Sequence, residues 1–385
     1  MRTRTQRLWI VVASVSLVVS LLVPAAGQAP SASPSQAVPV FPGADWARIA
    51  KAESAGFSSA RLEGLRAWLA SLDTTAMFVA VGGRELFEYG DVAHLSYLAS
   101  VRKSVLAMLY GTYVENGTIR LDATLKDLQF TDVGGLMPRE LEATVEDLMT
   151  ARSGVYHPAS NAGDSTDSAP PRGSQTPGTY YLYNNWDFNA AGAVFEKLTG
   201  RDIYDAVESD LARPIGMQDF DRKVQRKTGN PQRSQHLAYH MHFSVRDMAR
   251  IGLLMLREGN WAGRQVVPRG WAQKIRSLVT PMNEMNPPGY RSLGSGQRWG
   301  YGYMWWVWDA PNSPGPFAGA YTGMGAGGQF ITVLPEFDMV VAHKTDTSQV
   351  SPHGPGQRRR SVTGREYDAI LRMLISARPA YAVGE

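Results

Sequence analysis

Leu98-Ala99-Ser100-Val101-Arg102-Lys103-Ser104-Val105-Leu106-Ala107-Met108-Leu109-Tyr110, running on to Asn116 and Gly117, is the stretch on which the reading of this chain turns. Val105, Leu106, Leu109 and Val114 recur at helical spacing, and Gly117 suits the position just past a helix end. The spacing therefore predicts a buried helix over 100–116. Ser100 opens it and Lys103 follows one turn later, so a hydroxyl and an amine share one face. Backbone N–H groups at the start of the helix favour negative charge developing at Ser100. A lysine buried beside it loses its proton readily and becomes a base. On spacing alone, a capping serine and a lysine stem lying along apolar surface is the simpler reading.

Toward the amino terminus, Ser59 is expected to cap a helix with Leu62, Leu65, Trp68 and Leu69 on one face. Residues 77–81 and 85–89 flank Gly82-Gly83 as the arms of a two-residue hairpin. Beyond Gly117, helical stretches are expected at 143–151, 186–199, 244–257 and 268–277, and a last one at 364–376. Residues 301–308, 329–334 and 339–343 are β-rich and separated by Gly, Pro and Asp turns. The plan is α+β: early and late strands share one sheet, and a mainly helical block lies between them.

Composition narrows the function. The 385 residues carry 39 Lys and Arg against 35 Asp and Glu, but the first 27 hold Arg2, Arg4 and Arg7 and no acid, leaving 36 against 35. A nearly neutral remainder offers no electrostatic case for a nucleic-acid partner. Zero cysteines exclude disulfides, thiolate nucleophiles, iron–sulfur and Cys-zinc sites. Three arginines, the apolar run 8–23 and Ala25-Ala26-Gly27 have the layout of a signal peptide over 1–27, cut before Gln28. The run is shorter than the roughly 20 residues that span a bilayer, so export to a secreted or periplasmic location, with no stable membrane insertion after the cut, is expected. Residues 28–44, rich in Pro, Ser and Ala, are expected to be a flexible leader, with the folded domain over 45–385.

Two more segments carry chemistry. Tyr183-Asn184-Asn185 precedes a helix; a tyrosine relays protons when a cation lowers its pKa, and an asparagine both donates to a carbonyl and holds a lysine. Tyr321-Thr322-Gly323-Met324-Gly325-Ala326-Gly327-Gly328-Gln329 leads into a strand, and its glycines let a substrate approach backbone N–H groups that complete an oxyanion hole with that of Ser100. Other patterns are set aside. Lys227-Thr228-Gly229 lies in a basic loop before all the late strands, Gly323-x-Gly325-x-x-Gly328 runs into a strand rather than a helix, and His240-x-His242 has no third ligand at a recognised spacing. No metal or cofactor is expected.

Taken in order, these motifs resemble the serine β-lactamase and penicillin-binding-protein-like hydrolases, the class C and family VIII esterase branch especially, from about Ala60 to Ser376. Leu148-Met149-Thr150-Ala151-Arg152-Ser153-Gly154, Ser244-Val245-Arg246-Asp247-Met248-Ala249-Arg250 and Gly300-Tyr301-Gly302-Tyr303-Met304-Trp305-Trp306 belong to the same likeness. It implies the β-lactamase/transpeptidase-like fold, with Ser100 as nucleophile, Lys103 and Tyr183 as shared base and acid, and Asn185 as a ligand of lysine and substrate. Tyr321, Thr322, Gly325 and Ala326 are implied to meet the substrate. The oxyanion donor is Met324 or Ala326 by register, with Ala326 preferred. The family's Lys or His at the head of that motif is missing here. The implied substrate is a small ester, amide, lactam or peptide. The alternatives are a penicillin-binding or acylated sensor protein with little turnover, or a member that has lost its chemistry.

Overall fold

Gly82 and Gly83 take φ of 60° and 77°, the two positive values that a tight hairpin turn of matching twist requires. They join β1 (Ala76–Val81) to β2 (Arg84–Gly90). At Gly83 the glycine is needed twice over, because an added Cβ would lie 1.9 Å from the Val40 carbonyl oxygen. The computed structural model describes residues 39–288, 298–310, 314–354 and 356–381. The expected signal peptide (1–27) and most of the leader lie outside them. Residues 39–44, assigned to that leader, pack on the domain instead: Phe41 meets the Trp261 ring at 5.3 Å, and Arg250 Nη2 donates to the Gly43 carbonyl at 2.8 Å. An apolar ring and a buried guanidinium draw this segment in, so the compact unit that begins at Pro39 takes in residues the sequence reading placed in the leader.

The late strands are β3 (Trp299–Tyr301), β4 (Trp306–Trp308), β5 (Tyr321–Gly325), β6 (Gln329–Leu334) and β7 (Met339–Lys344). The seven form one antiparallel sheet in the order β2-β1-β7-β6-β5-β4-β3. The early hairpin joins the late strands through β1 and β7, paired from Ala76↔Lys344 to Val81↔Met339. Both faces are covered, which is why β6 and β7 are buried along their whole length. The helix Val245–Leu256 lies so close on one face that a Cβ at Gly252 would meet Val340 Cγ1 at 2.3 Å. On the other face, the helix Gly364–Ser376 stacks Tyr367 on Phe330 at 3.8 Å between centroids.

The first helix runs Ser59–Ser71, as expected, but its cap is Ser58, whose side chain accepts from the Arg61 N–H. With that first helix as α1, there lie between the early and late strands α2 (Val101–Glu115), the short α3 (Val145–Met149) with a Thr144/Asp147 capping box, and α4 (Asn185–Thr199). This block packs its apolar faces on the β5 side of the sheet, and α2 is buried from Val101 to Gly111. The α+β expectation is met, and the fold is the β-lactamase/transpeptidase-like one. Among the described residues no helix is long and apolar enough to cross a membrane.

Candidate functional site

Ser100 occupies the cap position of α2 but makes no side-chain cap bond, so its hydroxyl is not spent on the helix. The residue before it, Ala99, sits at φ 47°, a left-handed conformation unusual for a residue with a Cβ and a common mark of a strained functional turn. Lys103 is only 1 % exposed, which rules out the reading of a lysine reaching for water. Its Nζ lies 3.0 Å from Ser100 Oγ, 2.6 Å from Tyr183 Oη and 2.8 Å from Asn185 Oδ1. No carboxylate pairs with it among the described residues. Burial, and secondarily the neighbouring Arg102 charge, hold the Lys103 amine well below the usual lysine range.

Tyr183 and Asn185 reach this amine because Asn184 caps α4, its Oδ1 accepting from the Asp187 N–H at 2.9 Å. Tyr183 is fixed from the other side by Trp306 of β4, 5.9 Å away and nearly parallel, and by Tyr301 of β3. Trp306 thus borders the site. Trp305 is wholly buried. Asn185 is bonded on all sides: its N–H donates to Asp164 Oδ2 at 2.7 Å and its Nδ2 to the Ala162 carbonyl at 3.0 Å. Asp164 lies in the long polar loop before α4, and nothing in its local sequence marks this contact. Asp187, also unmarked, takes a hydrogen bond from Ser153 Oγ at 2.5 Å; burial pushes its carboxyl well above the ordinary range. It ties the Arg152-Ser153-Gly154 segment to the start of α4.

The strand β5 approaches α2 through its glycines. A Cβ at Gly325 would lie 2.6 Å from the Leu98 carbonyl and 3.1 Å from Ser100 N, and one at Gly323 would lie 2.9 Å from Ser104 Oγ. β4 pairs with β5 only at Tyr321 and Thr322, so the edge of β5 from Gly323 onward is open next to Ser100. Ala326, the residue just past the strand, is exposed and lines a cavity of about 310 Å3 together with Ser100, Asn185, Arg102 and Asn161. Met324 does not line it. Gln329 Nε2, donating to the Thr345 carbonyl at 2.6 Å, and His343, facing the Gly328 carbonyl at 2.8 Å, pin the turn beyond Ala326.

Two expected contacts are corrected. Tyr321 and Thr322 are 1 % and 0 % exposed and do not line the cavity. Thr322 faces the opposite side of the sheet, where its hydroxyl meets Thr332 and, through it, Tyr367. Tyr321 packs edge-on against Trp305. A strand covered on both faces buries both sets of side chains, so only its backbone and the turn after it reach the cavity. Lys227-Thr228-Gly229 lies elsewhere, Lys227 being paired with Glu196 at 2.5 Å, and His240 and His242 flank the Tyr97 ring.

A Beta-lactamase family model matches residues 69–361. Among solved structures, the chain resembles a Bacillus anthracis protein described as a candidate 6-aminohexanoate-dimer hydrolase, with TM-score 0.62 and 19 % identity over 90 % of this chain and 89 % of that one. It also resembles a beta-lactamase from Mycobacterium bovis (TM-score 0.55, 20 % identity, 84 % of this chain and 100 % of that one) and a family VIII carboxylesterase (0.57, 14 %, 84 % and 97 %). At these identities the likeness speaks for the fold. A search of curated protein sequences finds no match.

Proposed function

Because the chain belongs to the Beta-lactamase family, we propose that it is a serine hydrolase that forms an acyl-enzyme on Ser100 with a small ester or amide. The observation that carries the proposal is the uncharged-partner environment of Lys103: a buried amine, pulled down in pKa, 3.0 Å from a half-buried serine hydroxyl. A neutral amine has a lone pair free to take the Ser100 proton as Oγ attacks the carbonyl. Tyr183 Oη, 2.6 Å from the same nitrogen, passes that proton to the leaving group. The N–H groups of Ser100 and Ala326 face the developing oxyanion, and helix α2 adds its positive end. Asn185 holds the amine in line by accepting one of its protons. Water activated by the same Lys103–Tyr183 pair then releases the acid. No Glu lies between Tyr156 and Phe195, so no second carboxylate base is invoked from that stretch.

The segment from Asp309 to His343, which includes β5, offers no lysine or arginine, and Arg152 is engaged by Gly178, Thr179 and Thr280. Neutral leaving groups therefore suit the site better than the carboxylate-bearing rings of penicillins and cephalosporins. Export by the 1–27 segment is part of the same proposal. A fluorophosphonate should label Ser100, and Ser100→Ala should lose both labelling and nitrophenyl-ester hydrolysis while keeping its melting temperature. Equal hydrolysis by the variant would end the proposal.

A further inference from the structure

Arg102, the residue before the lysine base, is 2 % exposed, yet no carboxylate lies within ion-pair distance of it among the described residues. Its Nη2 donates to Asn189 Oδ1 at 2.9 Å and its guanidinium lies 4.1 Å over the Tyr239 ring, with the Tyr239 hydroxyl as its other polar neighbour; Nη1, itself shielded from solvent, lacks a well-formed hydrogen bond. A buried guanidinium left with an open donor and no counter-charge is costly, unless a ligand supplies what is missing. Arg102 lines the cavity beside Ser100, and Asn189 links it to Asn161 on the same wall through a 2.8 Å bond. Two other basic groups in this region are held down: burial and then Arg102 keep the Lys103 amine well below the usual lysine range, and the same two causes push His240 down to about 4. Asp346 also lines the cavity, but its carboxylate is already met by His94 Nε2 at 2.9 Å and by the Ser348 hydroxyl at 2.6 Å.

The side of the scissile bond follows from the proton path. Tyr183 delivers a proton to the leaving group, so that group lies toward Tyr183 and Trp306. The cavity holding Arg102 is lined by neither Tyr183 nor Lys103 and opens at the Ala326 end of β5, so it receives the acyl part.

Resting on the acyl-enzyme reading of Ser100, we infer that the substrate's acyl chain ends in a carboxylate, as in a half-ester or half-amide of a short dicarboxylic acid, and that Arg102 is its counter-charge. A guanidinium presents paired donors to a carboxylate, whereas a lysine there would be a point charge.

The test compares nitrophenyl butyrate with nitrophenyl hydrogen glutarate, which share a leaving group and differ in the terminal carboxylate, after subtracting spontaneous hydrolysis. The wild type should favour the glutarate in kcat/KM, and Arg102→Met should lower the glutarate-to-butyrate ratio by about 10- to 150-fold, the range of one charge-assisted hydrogen bond. Arg102→Lys should fall between. A ratio unchanged in an Arg102→Met protein that still labels with fluorophosphonate, or equal losses on both esters, would overturn the inference. A variant-free arm covers misfolding: glutarate should inhibit wild-type butyrate hydrolysis and glutaramide should not, and equal inhibition by the two would count against a carboxylate site. If Ser100 is not labelled and neither ester is hydrolysed, the acyl-enzyme reading itself has failed.

Discussion

Gly325→Ala adds one methyl group at the point where β5 meets the turn before α2. The new Cβ would stand 2.6 Å from the Leu98 carbonyl oxygen, 3.0 Å from Gln329 Cβ and 3.1 Å from Ser100 N. Two of these three neighbours are backbone, so relief requires the strand and the Leu98–Ser100 turn to part by several tenths of an ångström. Gly325 is not among the residues with positive φ, so the added methyl acts through its bulk alone and not through backbone strain. The separation widens between the two N–H groups proposed to hold the oxyanion, those of Ser100 and Ala326. Losing one such donor costs about 10²- to 10³-fold in kcat, and overpacking of this kind costs about 1–3 kcal/mol of stability. Stopped-assay kcat on nitrophenyl butyrate and a thermal melt read the two effects separately. Gly323→Ala is the control: its Cβ meets side-chain atoms alone, Ser104 Oγ at 2.9 Å, Ser104 Cβ at 3.4 Å and Val101 Cγ1 at 3.6 Å, and the Ser104 hydroxyl can turn away at the expense of its bond to the Met304 carbonyl. A Gly325→Ala enzyme with kcat within about twofold of wild type would refute the placement of the oxyanion hole at this contact.

Lys103→Arg keeps the positive charge but cannot shed its proton, so kcat should fall by about 10²- to 10⁴-fold, and a small change would remove Lys103 as the base. Because the folded amine is held below its ordinary range while the unfolded one titrates near 10.5, activity should be lost as pH falls through the lowered value. Stability, in turn, should rise with pH between the two values, since only the unfolded chain then binds the proton. A kcat/KM profile with no acid limb below pH 10 would contradict this. Lys344→Met strips donors from the Ser96 and Phe243 carbonyls, each bonded to Nζ at 2.6 Å, and should cost about 1–3 kcal/mol per carbonyl in a denaturant titration. Amino-terminal sequencing of the exported protein should begin at Gln28, and an intact Met1 in a membrane fraction would instead indicate a retained anchor.

Local chemistry made some of this molecule legible. The Gly82-Gly83 hairpin and the 100–116 helix could be read because turn residues and apolar spacing act over a few positions. The helix ends came out within one or two residues for the same reason. The strand Tyr321–Gly325 was harder. With both faces covered, its polar residues go inside, and Thr322 satisfies its hydroxyl on Thr332 rather than on a substrate. The left-handed turn at Ala99 leaves no trace in residue type, since alanine is no marker for positive φ. Asp164 reaches the Asn185 N–H from 21 positions away through an irregular loop, a contact that no periodicity encodes. Arg102 was hidden by its own chemistry: a charged residue on a helix is ordinarily at the surface, and only the packing of Tyr239 and Asn189 around it shows otherwise.

The pairing of β1 with β7 has a bearing on how the protein comes into being. Ser100 lies in the first third of the chain, yet the turn that holds it abuts Gly325, and the strand leading to it is tied down by Lys344. A growing polypeptide that has passed residue 100 has Ser100 but neither the β5 backbone that abuts it nor the partner strand for β1. Until some 240 further residues have emerged, the apolar edge formed by Met77, Val79 and their neighbours waits unpaired. Contacts so remote in sequence close slowly. The Ser100 cavity is therefore unassembled for most of synthesis, and it is in that interval, rather than as the finished sheet, that the unpaired β1 edge is open to wrong pairing.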